Sequence, residues 1–203
     1  MKISLLILLF AGTFELGCKA IAAETDKLPL HVSSLEGLVL KTSTYQDYKI
    51  GRALIRRKAV LLTFPGTWDP YSIHALKVMR NVEVELADMD VQIIAVTTDT
   101  PLKIKELLDE HNIPFVVASD LENRVAQSLG LVETLDEARL EQLKTTRAVI
   151  PEHGTLALLN ILFFRADGEL ESRWAPTQDG ALITQEEVRE MAAHLHMPPA
   201  LDL

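Results

Sequence analysis

The sequence comprises 203 residues, of which 48% are hydrophobic, and its formal net charge is −9. This length fits one domain with a substantial core, and the acidic balance argues against proteins that bind nucleic acid or anionic membranes through basic patches. The only cysteine is Cys18, so the chain cannot form an internal disulfide or place two thiols in a redox centre.

The first 23 residues have the pattern of a secretory signal peptide. Lys2 supplies a positive charge, residues 3–14 form an apolar stretch too short to span a bilayer comfortably, and Ala20-Ile21-Ala22 has the small-x-small pattern of a cleavage site. We expect cleavage after Ala22 or Ala23 and an exported protein, periplasmic or secreted. The removed segment carries two lysines and one glutamate, so the mature charge is expected to be −10.

Cys18 allows a second interpretation of the same segment. Leu16-Gly17-Cys18 faintly resembles the lipobox of bacterial lipoproteins, in which the cysteine becomes the lipidated first residue of the mature chain. Glu15 departs from that pattern, which usually has leucine at this place. Membrane attachment is therefore expected only if Cys18 is lipidated.

Residues 24–57 carry weaker signals and are interpreted as an N-terminal leader of the domain. They end in a basic run, Arg56-Arg57-Lys58, just before an apolar stretch. We interpret this run as a solvated approach to a strand. An anion site is the alternative, but three adjacent cations alone do not define a pocket.

The strongest local signal lies between residues 60 and 86. Val60 to Phe64 is a short apolar run typical of a strand covered on both faces, and Pro65-Gly66 ends it. Asp69 followed by Pro70 is a typical N-cap and first helical residue. The helix that follows is predicted from apolar residues at three- and four-residue spacing: Ile73, Leu76, Met79, Val82 and Leu86.

The chain then repeats the alternation of strand and helix. An apolar run over residues 91–96 predicts a second strand parallel to the first, and Pro101 begins a helix that ends near Asn112. Residues 115–117 predict a third strand. Asp120 is predicted to cap the next helix, which carries Leu121, Val125 and Leu129 and ends at Gly130.

Turn and capping signals organise the C-terminal third. Asp167-Gly168 between two apolar runs, residues 160–165 and 169–174, predicts a β-hairpin. Two helices are predicted from capping boxes, at Thr134/Glu137 and at Thr184/Glu187. The second helix is expected to face the core with four residues: Val188, Met191, Ala192 and Leu195.

Two segments resemble one known family. Gly66-Thr67-Trp68-Asp69-Pro70-Tyr71-Ser72 is similar to the Gly-x-Trp-Cys-Pro-Tyr-Cys segment of thioredoxin-like proteins, specifically of the AhpC/TSA peroxiredoxin-like group, and residues 130–151 resemble that group's insertion. The resemblance implies a single α/β domain of thioredoxin-like fold over residues 58–203, with a central mixed β-sheet flanked by helices. It also implies a short strand or hairpin in the leader.

The resemblance also implies that the site lacks the family's redox cysteines and its cis-proline. Asp69 and Ser72 stand where the family has its two redox cysteines, and Leu159 stands at the place of its cis-proline. A helix N-terminus stabilises the Asp69 carboxylate as it would a thiolate, but a carboxylate is a poor nucleophile towards peroxide and cannot form a disulfide. The bond before Leu159 is expected to be trans, because a non-proline cis bond costs several kcal/mol.

We therefore expect an exported member of an antioxidant oxidoreductase family that has become a non-redox binding module. Thiol peroxidase activity is not expected. The binding residues implied by the resemblance are Thr67, Trp68, Tyr71, His153 and Leu159, and the expected partner is an envelope protein docking on the Trp68–Tyr71 face. No cofactor, metal or nucleic acid is expected.

The same residues allow other interpretations. The main alternative is an enzyme with thiol-independent chemistry that uses Asp69, Ser72, Tyr71 or His153 as acid, base or ligand. A serine hydrolase with His74 as base is disfavoured, since Ser72 and His74 lie two residues apart on a helix and point to different faces. The same geometry disfavours a metal site at His194-x-His196. A copper carrier of thioredoxin-like fold would need paired cysteines.

Overall fold

The computed structural model describes residues 31–55, 57–144, 154–177 and 180–195. Within these ranges the helices are α1 (Ile50–Leu54), α2 (Pro70–Asp88), α3 (Pro101–His111), α4 (Arg124–Ser128), α5 (Glu137–Leu143) and α6 (Gln185–His194). The strands are β1 (Val39–Thr42), β2 (Asp47–Lys49), β3 (Lys58–Phe64), β4 (Val91–Thr97), β5 (Val116–Ser119), β6 (Val132–Thr134), β7 (Thr155–Ala157), β8 (Asn160–Phe164) and β9 (Leu170–Trp174).

The predicted central mixed sheet is confirmed. Seven strands pair in the order β2-β1-β5-β4-β3-β8-β9. The central strands β3, β4 and β5 are parallel, whereas β1, β2, β8 and β9 join through antiparallel pairs. β6 and β7 form a separate two-stranded antiparallel sheet that the sequence had not predicted.

The apolar run of β3 is explained by helices on both faces of the sheet. Val60, Leu62 and Phe64 are fully buried on the face covered by α2, α3 and α6. Ala59 and Leu61 are fully buried on the other face, with α1, α4 and a short 3-10 turn at Val32–Leu35. A strand covered on both sides needs apolar residues at every position, so alternation is absent.

The leader is part of the domain. β1 and β2 form the hairpin that the resemblance implied, and β1 joins the sheet through β5. Arg57 lies 3.7 Å from Asp90 with both side chains largely exposed, and Lys58 Nζ donates to the carbonyl of Met89 at 3.2 Å. These contacts fit a solvated approach to β3, and Arg56 lies outside the described residues.

Several helix ends lie where the sequence placed them. Asp69 caps α2 with Pro70 as its first residue, Asn112 ends α3 in the left-handed conformation, and Thr184 and Glu187 form the capping box of α6. The β8–β9 hairpin turns at Asp167-Gly168 as predicted. In the described part of the chain, no helix has the length and apolar character needed to traverse a membrane.

Two predicted caps are wrong, each by two or three residues. Asn123, in the left-handed conformation, is the N-cap of α4, and Leu121 in the preceding turn is 46% exposed rather than buried. Asp136 rather than Thr134 caps α5, accepting from the backbone N–H of Arg139 at 2.8 Å. Thr134 is instead paired with Thr155 in the β6–β7 ladder, where strand pairing satisfies its backbone.

Asp120 is buried and still holds the first turn of α4, although it lies three residues before the N-cap position. Its Oδ2 accepts from the backbone N–H of Val125 at 2.7 Å, while Oδ1 is buried with no hydrogen-bond partner in the described residues. Burial raises the pKa of the Asp120 carboxyl above its ordinary value of 3.8 and outweighs the hydrogen bond from Val125.

The pH dependence of folding follows from this shift. The native state holds the Asp120 proton more tightly than the unfolded chain, so protonation of Asp120 stabilises the fold. This contribution to the unfolding free energy is complete below the ordinary pKa and is lost as pH rises through the raised native pKa. We expect Asp120→Asn, which keeps an acceptor for Val125, to flatten the pH dependence of the unfolding free energy above about pH 4. Urea unfolding at several pH values measures this, and parallel curves for variant and wild type would contradict it.

Candidate functional site

The segment that resembles the redox motif begins in a tight loop after β3. Gly66 has φ +154°, and a Cβ there would lie 2.6 Å from Trp68 Nε1 and 3.3 Å from Asp99 Oδ2. Any larger residue would therefore displace the Trp68 indole. The loop is packed against its own aromatic side chain before α2 begins.

Asp69 and Ser72 form a closed pair at the start of α2. Asp69 Oδ2 accepts from the backbone N–H of Ser72 at 2.9 Å and also from the Ser72 hydroxyl. Ser72 is fully buried, whereas Asp69 is half-buried. The two residues act together as a helix cap, and the Ser72 hydroxyl is neither accessible nor aligned for attack on a substrate.

Asp99 was not identified from the sequence, although it holds the same loop. Its carboxylate is fully buried, accepts from the backbone N–H of Thr67 at 2.6 Å and lies 3.5 Å from Lys103 Nζ. The Ser119 hydroxyl donates to the Asp99 carbonyl at 2.6 Å. The available signal was a polar cluster, Thr97 to Thr100, directly after a buried parallel strand beside the motif.

Trp68 is half-buried. Its side chain packs on a small apolar cluster formed by Leu135, Leu143 and Leu156, and Leu140 packs against the same cluster. Its Nε1 is buried and has no hydrogen-bond partner among the described residues. The insertion therefore covers much of the indole.

Tyr71 and Leu159 contribute to the main core. Tyr71 is half-buried against it, and Leu159 is only 8% exposed within it. Every described peptide bond is trans, including the one before Leu159, as predicted. Of the predicted binding residues in the described ranges, Thr67, Trp68 and Tyr71 remain partly exposed, and His153 lies outside those ranges.

Ser72 and His74, the residues of the disfavoured serine hydrolase, bind different partners. His74 Nε2 lies 2.9 Å from the Ile183 carbonyl, and the Ser72 hydroxyl donates to the Asp69 carboxylate. Ser72 and His74 therefore do not form a hydrogen bond with each other. His194 is the last residue of α6, and His196 lies outside the described residues. The described residues contain no group of three or more His, Cys, Asp or Glu placed to hold a metal ion.

The antiparallel edge beside the motif has its own polar contact. Arg173 Nε donates to Asn160 Oδ1 at 2.7 Å, and Asn160 is fully buried. Burial lowers the pKa of the Arg173 guanidinium. The Thr63 hydroxyl and Asn160 Nδ2 both donate to the Leu158 carbonyl, at 2.9 and 3.2 Å, which fixes the chain just before Leu159.

Comparison with known proteins identifies a family for the chain. The profile of the AhpC/TSA family matches residues 33–159, which includes the leader as well as the motif. A comparison with curated proteins returned no match to the sequence.

Solved structures share the fold at low identity. Bacterioferritin comigratory protein from Xanthomonas campestris, in a study of its alkyl peroxide reduction, is 13% identical with a TM-score of 0.63, over 84% of this chain and 97% of that one. Peroxidoxin BcpB from Mycobacterium tuberculosis is 14% identical with a TM-score of 0.60, over 78% and 90%. DsbF from M. tuberculosis is 16% identical with a TM-score of 0.57, over 80% and 97%. These likenesses confirm the thioredoxin-like fold.

Proposed function

The chain belongs to the AhpC/TSA family, and from that premise we propose that it is a non-redox binding module rather than a thiol peroxidase. The observation that carries the proposal is the closed pair Asp69–Ser72. These are the two positions that the resemblance assigns to the family's cysteines. The Asp69 side chain caps α2, and the hydroxyl of the fully buried Ser72 donates to the Asp69 carboxylate. Such a pair stabilises the start of α2 and supplies no nucleophile.

The alternative, a thiol-independent enzyme in the same place, has less support. The Ser72 hydroxyl, which such an enzyme would use, is buried and already donates to the Asp69 carboxylate. The Tyr71 side chain packs on the core. The two proposals differ in a simple assay with hydrogen peroxide. We expect no turnover by the protein, whereas turnover that disappears in both Asp69→Ala and Ser72→Ala would favour the enzyme.

We propose that an envelope protein docks on the surface formed by Thr67, Trp68, Pro70 and Tyr71. Pro70 is exposed and the other three are partly exposed, so this surface remains accessible although Trp68 and Tyr71 also pack inward. Alanine at either aromatic position would disturb packing as well as docking. A photo-crosslinker at an exposed position is therefore the cleaner probe.

A crosslinking amino acid at position 70 is expected to capture one envelope protein when the tagged chain is expressed in its native cell. The matched control carries the same group at Val84, which is 69% exposed on the same helix, about 21 Å from position 70 along the axis. Capture at position 70 alone supports docking at the motif surface. Equal capture at both positions, or at neither, contradicts it.

We also propose that the protein is exported, because residues 1–23 have the charge and apolar pattern of a signal peptide. Intact-mass measurement of protein purified from the cell envelope is expected to give a chain beginning at Ala23 or Glu24. A chain that begins at Cys18 with an added lipid mass would favour the lipoprotein alternative. A chain that retains Met1 would contradict export by cleavage.

A further inference from the structure

A cleft of about 590 Å³ lies between α2 and α3, outside the Asp69–Ser72 pair. Thr67 and Pro70 line its end nearest the motif, and Ile73 and Leu107 contribute apolar surface. At the other end, Arg80 Nη1 on α2 donates to the His111 carbonyl at the end of α3 at 2.8 Å. The volume is within the range that holds small-molecule ligands.

Two exposed side chains of opposite charge, Lys77 and Glu106, line this cleft. Lys77 on α2 and Glu106 on α3 are exposed, and neither forms an ion pair with a described residue. Lys103 faces the same cleft and is held 3.5 Å from the buried Asp99 carboxylate. An ammonium and a carboxylate that share a cleft but do not neutralise each other present complementary sites for a ligand with both charges.

His74 adds a hydrogen-bonding group to the wall. Its Nε2 lies 2.9 Å from the Ile183 carbonyl, and since a carbonyl only accepts, Nε2 carries the proton. In the neutral ring, Nδ1 is then an acceptor.

We propose that this cleft binds a small zwitterion of the amino-acid type. The ligand's carboxylate pairs with Lys77, its ammonium group pairs with Glu106, and its side chain rests on Ile73 and Leu107. Thr67 and Pro70 at one end of the cleft also belong to the proposed docking surface, but Lys77 and Glu106 do not, so substitutions at these two positions test the cleft alone. The whole chain has an excess of acidic residues, whereas the cleft carries charges of both signs. The charge of the cleft is therefore a local feature.

Titration of the protein with the common L-α-amino acids, followed by calorimetry and by NMR chemical shifts, tests the proposal. Acetate and methylammonium serve as probes with a single charge. We expect at least one amino acid to bind with a dissociation constant of about 1 mM or tighter, and both probes to bind at least about tenfold more weakly. Lys77→Met and Glu106→Gln are each expected to weaken amino-acid binding by about tenfold or more.

The matched controls are Lys105→Met and Asp109→Asn, which change an exposed pair on the same helix outside the cleft and should leave affinity unchanged. Because all four positions are exposed, the variants are expected to fold. Absence of amino-acid binding at about 10 mM would overturn the proposal. So would acetate binding as tightly as the amino acids, or equal losses in the cleft and control variants.

Discussion

Cysteines introduced together at positions 69 and 72 are expected to form a disulfide and to give the chain a thiol–disulfide exchange activity that is not expected of the wild type. The Asp69 carboxylate and the Ser72 hydroxyl already touch, so side chains at these positions point towards each other. Position 69 is the N-cap of a 19-residue helix, and a thiol there gains the thiolate stabilisation of the helix N-terminus. Insulin reduction by the Asp69→Cys, Ser72→Cys variant measures the gain.

A Cys18→Ser background ensures that only the two new thiols are counted. Each single variant, Asp69→Cys or Ser72→Cys, is expected to keep one free thiol and to lack the activity, since exchange of this kind needs both sulfurs. Two free thiols in the double variant after equilibration with oxidised glutathione would contradict the expectation. That outcome would mean that α2 begins with a geometry unsuited to the family's redox pair.

The start of α2 could be predicted because its determinants are adjacent in the chain. Asp69 and Pro70 specify an N-cap and a first helical residue with no help from distant parts of the molecule. The capping box of Thr184 and Glu187 is equally local. Such signals act over three or four residues, which is the range that sequence patterns report best.

The two wrong caps show where local signals compete. Asp120 and Asn123 both suit a helix start, and they divide the role: Asn123 occupies the N-cap position, while the Asp120 carboxylate accepts from the first-turn N–H of Val125. Thr134 and Asp136 compete in the same way before α5. Pairing of Thr134 with Thr155 decides that case, and a partner 21 residues away gives no local signal.

The surroundings of the motif could not be predicted because they depend on contacts distant in sequence. Trp68 meets Leu135 and Leu156 only after the insertion has folded over it. Thr67 meets Asp99 because β3 and β4 are parallel neighbours whose carboxyl ends lie side by side. The residues of the motif are recognisable in the sequence, but the contacts that hold and cover them are not.

Asp99→Ala is expected to lower the free energy of unfolding by about 3 kcal/mol, the largest loss from any single substitution near the motif. The fully buried Asp99 carboxylate satisfies the Thr67 N–H and pairs with Lys103, so alanine leaves a donor and a charge without their partner. Asp99→Asn keeps an acceptor and should lose roughly half as much. Urea unfolding monitored by tryptophan fluorescence gives these values.

A second readout distinguishes loss of the loop from general destabilisation. If Asp99 holds the motif loop, amide exchange at Thr67 and Trp68 in Asp99→Ala should accelerate more than exchange in β8, on the other side of β3. Asp109→Ala, an exposed carboxylate on α3 paired with Lys105, is the matched control and should alter neither measurement. An Asp99→Ala protein within about 0.5 kcal/mol of the wild type would show that the loop after β3 is held by its packing on Trp68 rather than by the carboxylate.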